Sequence, residues 1–189
     1  MNSAFWSTAA TSSAEGIEIV PIGRQHIAGF HVALDSVAKE RCYLAMLEAP
    51  SFVRTRRFVL NSLKDGAVHV VAVADEAVVG WCDLRPKTTP TLRHTAVLGM
   101  GIVAAYRGRG IGGRMLAATL ELALARGIRR SELIVRADNA AAIALYRRFG
   151  FVQEGTCRNY MRVDGVDYDA LLMARLDPGT NGCDFGCIG

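Results

Sequence analysis

Tyr106-Arg107-Gly108-Arg109-Gly110-Ile111-Gly112-Gly113 decides how this chain is read, because it stands between a predicted strand and the most regular helix of the sequence. Glycine lets a backbone approach a ligand without a Cβ in the way, and the first amides of a helix have no partner inside it. A glycine-rich turn that opens a helix therefore suits a phosphate, and Arg107 or Arg109 could add a charge-assisted contact. Gly108, Gly110 and Gly113 also satisfy the spacing of the dinucleotide-binding fingerprint. That motif belongs on the first strand of its fold, with an acidic residue closing the second. Here about half of the chain precedes the loop, and Glu132 opens its strand instead of ending it. A P-loop needs Gly-Lys-Ser or Gly-Lys-Thr, and neither occurs in the segment. The plain structural alternative is a helix start that uses glycine only to turn tightly.

Downstream of the loop, Ile111, Met115, Ala118 and Leu122 form one apolar line, widened by Leu116, Leu120 and Ala123. This predicts a sheet-covering helix over 110–126, capped by Gly127. A strand over 132–136, a helix over 139–149 capped by Gly150, and strands over 151–163 and 168–176 follow, with Asp164-Gly165 as a hairpin turn. Upstream, a buried strand is expected over 95–103, a loop over 87–92, and a hairpin of 68–73 and 78–84 across Asp75-Glu76. A strand over 17–22 and helices over 24–39 and 52–63 open the domain. The order predicts an α/β domain over 16–176, a mixed sheet with helices on both faces, flanked by a flexible arm (1–15) and tail (177–189).

A chain of 189 residues, 51% hydrophobic and 21% charged, fits one domain with a real core. Its net charge of +4 is spread along the chain, so no nucleic-acid footprint is expected. No apolar run approaches the ~18 residues of a membrane span, and the first residues lack a signal-peptide pattern, so a cytoplasmic location without membrane partners is expected. The cysteines at 42, 82, 157, 183 and 187 are scattered and odd in number, which argues against a disulfide framework. Cys183 and Cys187 have no further ligands at metal spacing, so no metal is expected.

The segment Arg107-Gly108-Arg109-Gly110-Ile111-Gly112 resembles the hallmark of the GCN5-related N-acetyltransferase (GNAT) superfamily: Gln or Arg, two residues, Gly, one residue, Gly or Ala. About 30 residues later a second hallmark follows in the expected order, from Asn139-Ala140-Ala141-Ala142-Ile143-Ala144-Leu145-Tyr146 to Phe149-Gly150-Phe151 and Glu154-Gly155. The ending Tyr168-Asp169-Ala170-Leu171-Leu172-Met173 is similar to the branch of small-molecule and amino-acid acetyltransferases. The resemblance implies a mostly antiparallel sheet with a splayed strand pair and acetyl-CoA as acyl donor. It implies that the backbone of Ile102, Val103 and Ala104 pairs with the pantetheine arm. The amides from Arg107 to Gly113 would hold the pyrophosphate, Asn139 would contact the cofactor, and Tyr146 would hydrogen-bond the thioester sulfur.

Acetyl transfer needs a deprotonated amine close to the carbonyl, a donor for the oxyanion, and a proton for the thiolate. Tyr146 is the expected acid. Many relatives carry a glutamate on the strand before the glycine loop, where this chain has Val97. The candidates that remain for the base are His94, Glu154 and a water chain. Asp83 could orient a cationic substrate or be an ordinary turn or edge carboxylate. Neither Cys82 nor Cys157 shows an activating partner, so direct transfer in a ternary complex is expected over an acyl-cysteine route. Trp81, Tyr43 and Phe52 could line the acceptor site or fill the core, and Arg54, Arg56 and Arg57 could receive a carboxylate or face solvent. The acceptor is expected to be a small-molecule or amino-acid-like amine. Exposed sheet edges make a homodimer an open expectation. The alternative function is a non-catalytic acyl-CoA-binding sensor.

Overall fold

Val68, Val70 and Ala72 point to one side of their strand and His69 and Val71 to the other, and both sides are covered, so six of its seven residues are buried. A strand enclosed on both faces marks the centre of a sheet with helices above and below. The computed structural model describes residues 16–177 and shows that arrangement. The expected arm lies outside the described residues, as does the tail beyond Asp177.

The elements are β1 (Ile17–Pro21), α1 (Ile27–Lys39), α2 (Phe52–Lys64), β2 (Val68–Ala74), β3 (Ala77–Pro86), β4 (Thr95–Ile102), α3 (Ile111–Ala125), β5 (Arg130–Arg136), α4 (Ala140–Arg148), β6 (Val152–Val163) and β7 (Val166–Leu176). These strands form one sheet in the order β1-β2-β3-β4-β5-β7-β6. Among them only β4 and β5 pair in parallel. One core lies between the sheet and α3 with α4, centred on Met115, Leu116, Leu84 and Met173. The other lies under α1 and α2, where Phe30 packs edge-on against Trp81 and Val59 is fully buried.

The departures from the expected elements are local. Asp75 (φ 47°) and Glu76 (φ 65°) both take left-handed backbone, as a two-residue hairpin turn requires. Asp164 (φ 51°) and Gly165 (φ 81°) do the same, and the final strand starts at Val166 because pairing continues up to that turn. The first predicted helix begins as a single 3-10 turn, Arg24–His26. The predicted strand over 95–103 stops at Ile102, because Val103 caps another such turn, Ala104–Tyr106.

Gly99 and Gly101 fix how closely β3 and β4 approach. A Cβ at Gly101 would lie 2.2 Å from the Trp81 ring, which is itself only 3% exposed. Gly101→Val is therefore expected to destabilise the fold by about 2–3 kcal/mol through overpacking, measurable by urea unfolding.

Candidate active site

The parallel pairing of β4 with β5 lasts for three residues, Thr95 to Val97 against Arg130 to Glu132, after which β5 keeps only β7 and β4 keeps only β3. The strands part there and leave a V-shaped opening. In an antiparallel pair, the N–H and C=O of one residue point the same way and alternate along the strand. The Val103 amide donates to the Val79 carbonyl (2.9 Å) and the Thr95 carbonyl accepts from Lys87 (2.9 Å), so odd positions of β4 face β3. The main-chain groups of Leu98, Met100 and Ile102 consequently turn toward the opening. Of the expected platform Ile102-Val103-Ala104, the Val103 amide is occupied by β3. The Ala104 carbonyl accepts from the Arg107 amide (3.2 Å), and the Ile102 carbonyl accepts from Arg107 Nε (2.9 Å). Leu98 and Met100 were not legible as platform residues, because only the strand register identifies them.

At the open end of the V lies the glycine loop. Gly108 (φ 77°) and Gly110 (φ 74°) are left-handed, and a Cβ on either would meet nothing within 4 Å, so both border free space. Gly110 is the N-cap of α3, whose first amides open onto that space. Gly112 serves packing instead. A Cβ there would come within 2.9 Å of Met100 and 3.2 Å of Leu145, so its absence seats α3 against β4 and α4. Arg107 is anchored to Glu40 (2.7 Å), and Arg109 donates to the Ala105 carbonyl (3.0 Å) and lies over the Tyr106 ring. Ile111 is buried, so it contributes its amide and not its side chain.

Asn139 caps α4, its side chain accepting from the Ala142 amide (3.1 Å). Tyr146 projects from α4 into the core beside Phe151, 8% exposed. Burial, reinforced by the neighbouring Cys82, pushes its phenol above the ordinary value, so it is neutral at physiological pH. Burial also raises the Cys82 thiol to about 12, which removes it as a thiolate nucleophile near pH 7.

The opposite face of the same strands carries a carboxylate. Asp83 sits on β3 opposite Gly99 of β4 and is 5% exposed, so it is a mid-strand buried group and neither a turn nor an edge residue. Its Oδ1 lies 2.8 Å from where a Cβ of Gly99 would be. Its Oδ2 lies 3.1 Å from Arg85 Nε, an ion-pair distance without hydrogen-bond geometry. Burial raises the carboxyl to about 7 against the opposing pull of Arg85. Its neighbour across β2 is His69, buried against Phe30 and Phe58 and held down to about 4 by burial, hence neutral at pH 7.

A carboxyl at about 7 when folded and near 3.8 when unfolded binds its proton more tightly in the folded state. Its stabilising contribution is complete below pH ~4, declines as pH rises toward 7 and is gone above that, a span of at most about 4 kcal/mol. Asp83→Asn is therefore expected to melt several degrees higher than wild type at pH 8 and at the same temperature at pH 4, as calorimetry would record.

The two side chains expected as base candidates are not brought to the opening. His94 is exposed in the turn before β4, at the closed end of the V, where its carbonyl accepts from the amides of Arg129 and Arg130 (2.8 and 3.0 Å). Glu154 on β6 is clamped by Arg130 (2.9 and 2.5 Å), which holds its carboxyl below the ordinary range. Beside this closed end Arg85, Pro86, Lys87, Thr88, Thr89 and Val97 line a cleft of about 370 Å³. At the far end of β5, Arg136 lies 3.7 Å from the Tyr168 ring centroid and 5.2 Å from that of Tyr43, which comes from the α1–α2 loop. Trp81 is core, Phe52 is exposed, and Arg54, Arg56 and Arg57 face outward on α2. Among the described residues, no group of three or more His, Cys, Asp or Glu is arranged to hold a metal, and no helix is long and apolar enough to cross a membrane.

Comparison with known proteins is consistent with this geometry. Residues 36–151 match the family model described as Acetyltransferase (GNAT) family. The chain is 32% identical over 114 residues to the L-amino acid N-acetyltransferase AaaT of Escherichia coli, covering 60% of this chain and 70% of that protein. It is 40% identical over 111 residues to the N-alpha-acetyltransferase RimI of Mycobacterium tuberculosis, covering 58% and 68%. Its fold superposes on yncA from Salmonella typhimurium, solved with its cofactor acetyl-CoA, with a TM-score of 0.82 over 91% of this chain and 99% of that one, at 16% identity. A phosphinothricin acetyltransferase from Sinorhizobium meliloti in complex with acetyl-CoA gives 0.81 over 87% and 91%, at 20% identity. At these identities the two structures speak to the fold alone.

Proposed function

Because this chain belongs to the GNAT acetyltransferase family, we propose that it transfers the acetyl group of acetyl-CoA to a primary amine by direct attack in a ternary complex. The observation that carries the proposal is the opening beside β4, with main-chain groups of Leu98, Met100 and Ile102 turned into it, the glycine loop at one end and Tyr146 beneath. The free space over Gly108 and Gly110 and the first amides of α3 suit a pyrophosphate. The β4 edge would pair with the amides of a pantetheine arm as with another strand, and a β4 N–H would polarise the thioester carbonyl.

Tyr146 would stabilise the departing sulfur. Its phenol lies above the ordinary 10, while a thiol titrates near 8.5, so complete transfer of its proton to the thiolate runs uphill by at least about 2 kcal/mol. Its role is that of a hydrogen-bond donor to the developing charge, with the thiolate protonated later from solvent. Asn139, whose oxygen is committed to capping α4, keeps its amide NH2 for a cofactor contact.

The acceptor we propose is amino-acid-like. The Escherichia coli relative is named for L-amino acids. Arg136 with Tyr43 and Tyr168 stands at the far end of β5, on the side of the open end, while Arg85 and Lys87 line the cleft at the closed end. The test is free thiol released from acetyl-CoA above the no-acceptor background, across the twenty L-amino acids, aminoglycosides, polyamines and alanine-terminated peptides. Release with an amino acid supports the proposal. Acetyl-CoA binding by calorimetry without transfer to any acceptor would favour a sensor, and absence of binding would reject both.

A further inference from the structure

We propose that Asp83 is the general base of the transfer, supplied by β3 and reaching over Gly99 to the surface of β4 that borders the opening. This rests on the acetyltransferase reading above.

Val97 leaves β4 without a carboxylate on the face toward α1 and α2. The next two residues on that face, Gly99 and Gly101, have no side chains, and their space is filled from β3. The Trp81 ring comes within 2.2 Å of where a Cβ at Gly101 would be, and Asp83 Oδ1 within 2.8 Å of where one at Gly99 would be. The carboxylate thus sits where a side chain of β4 itself would be. It stands two residues beyond the last pairing with β5, where the opening begins.

The face matters as much as the position. Cys82 and Asp83 are adjacent on β3 and point to opposite sides of the sheet. Cys82 faces the core that contains Tyr146 and acts on its phenol, whereas Asp83 faces α1 and α2. Tyr146 and Asp83 therefore flank the stretch of β4 at Gly99 and Met100 from below and above. A thioester held along that edge would have the donor for sulfur on one side and the acceptor for the amine proton on the other. The neutral amine attacks the thioester carbon, the N–C bond forms and the C–S bond breaks with its electron pair on sulfur. The surplus N–H proton passes to Asp83, which returns it to solvent, and solvent protonates the thiolate.

The groups around Asp83 suit a proton acceptor. Among the described residues Arg85 is the one cation in ion-pair range, and with its side chain 53% exposed it screens the charge without filling the carboxylate's acceptor positions. His69 on β2 is neutral at pH 7 and packs against Phe30 of α1 and Phe58 of α2, Cys82 points away, and β4 contributes glycine and the apolar Val97 on this face. Burial keeps the carboxyl near 7, the range in which a base both exists in its charged form and retains affinity for a proton.

The experiment is the pH–rate profile of kcat/KM with the L-amino acid that wild type acetylates fastest, for wild type, Asp83→Asn and Arg85→Gln. Wild type should lose activity below pH ~7. Asp83→Asn should lower kcat/KM roughly 100-fold or more and abolish that acidic limb. Its acetyl-CoA affinity should stay within a factor of about two, since it lies on the face away from the helices that hold the cofactor. Arg85→Gln keeps the base and removes its cation, so its limb should move to higher pH. An Asp83→Asn enzyme that retains the wild-type limb overturns the assignment while leaving the acetyltransferase reading intact. A wild-type chain that binds acetyl-CoA and acetylates no amine of the panel overturns the reading and the base with it. A limb that Arg85→Gln leaves in place also counts against Asp83 as its source.

Discussion

Tyr146→Phe is expected to lower kcat about 100-fold while leaving the acetyl-CoA dissociation constant within about threefold. The separation follows from where the phenol is. Its ring is buried beside Phe151 in the core that supports β4, and phenylalanine keeps that packing. Only the hydroxyl is lost, and a hydrogen bond to a charged sulfur is worth far more than one to a neutral thioester, so the loss falls on the transition state. A hydrogen bond to a charged group contributes about 1.5–3 kcal/mol, which brackets the expected factor. Single-turnover kinetics with saturating acetyl-CoA would measure it. A turnover equal to wild type would remove Tyr146 from the chemistry and leave it a core residue of α4.

The elements that organise this site were legible in the sequence because their signals are local. The loop from Arg107 to Gly113 announces itself by glycine spacing, α3 by its apolar line, and the two hairpins by Asp75-Glu76 and Asp164-Gly165. What was not legible depends on register between distant segments. That Leu98 and Met100 turn their main chain into the opening follows from the pairing of β4 with β3 and from its loss of β5 after Val97. Asp83 illustrates the same limit. In the sequence it follows Trp81-Cys82 near the end of an apolar run and reads equally well as an edge carboxylate. Its meaning comes from Gly99, sixteen residues on, whose missing side chain makes room for it. His94 and Glu154 show the converse. A titratable residue near a motif in sequence is drawn to attention, yet both lie at the closed end of the V, one in a solvent-facing turn and the other under Arg130.

Gly110→Val tests the other half of the site, and its effect should fall on binding. Gly110 has φ 74° and caps α3, a backbone that a β-branched residue adopts only at a cost of about 1–2 kcal/mol. For a chain of this length that corresponds to a fall in Tm of about 2–8 °C, so the variant should remain folded at room temperature. Among the described residues, nothing beyond the adjoining chain lies within 4 Å of the added Cβ, so the new side chain projects into the space where the first amides of α3 and the preceding loop would meet a pyrophosphate. Losing one or two charge-assisted contacts of about 1.5–3 kcal/mol each predicts acetyl-CoA binding weaker by roughly 100-fold. With saturating acetyl-CoA, kcat should largely recover, because Tyr146 and the β4 edge are untouched. Undiminished affinity by calorimetry would mean that the loop turns the chain without holding the cofactor. The glycines would then serve only the seating of α3 on β4, which Gly112 already accomplishes through its contacts with Met100 and Leu145.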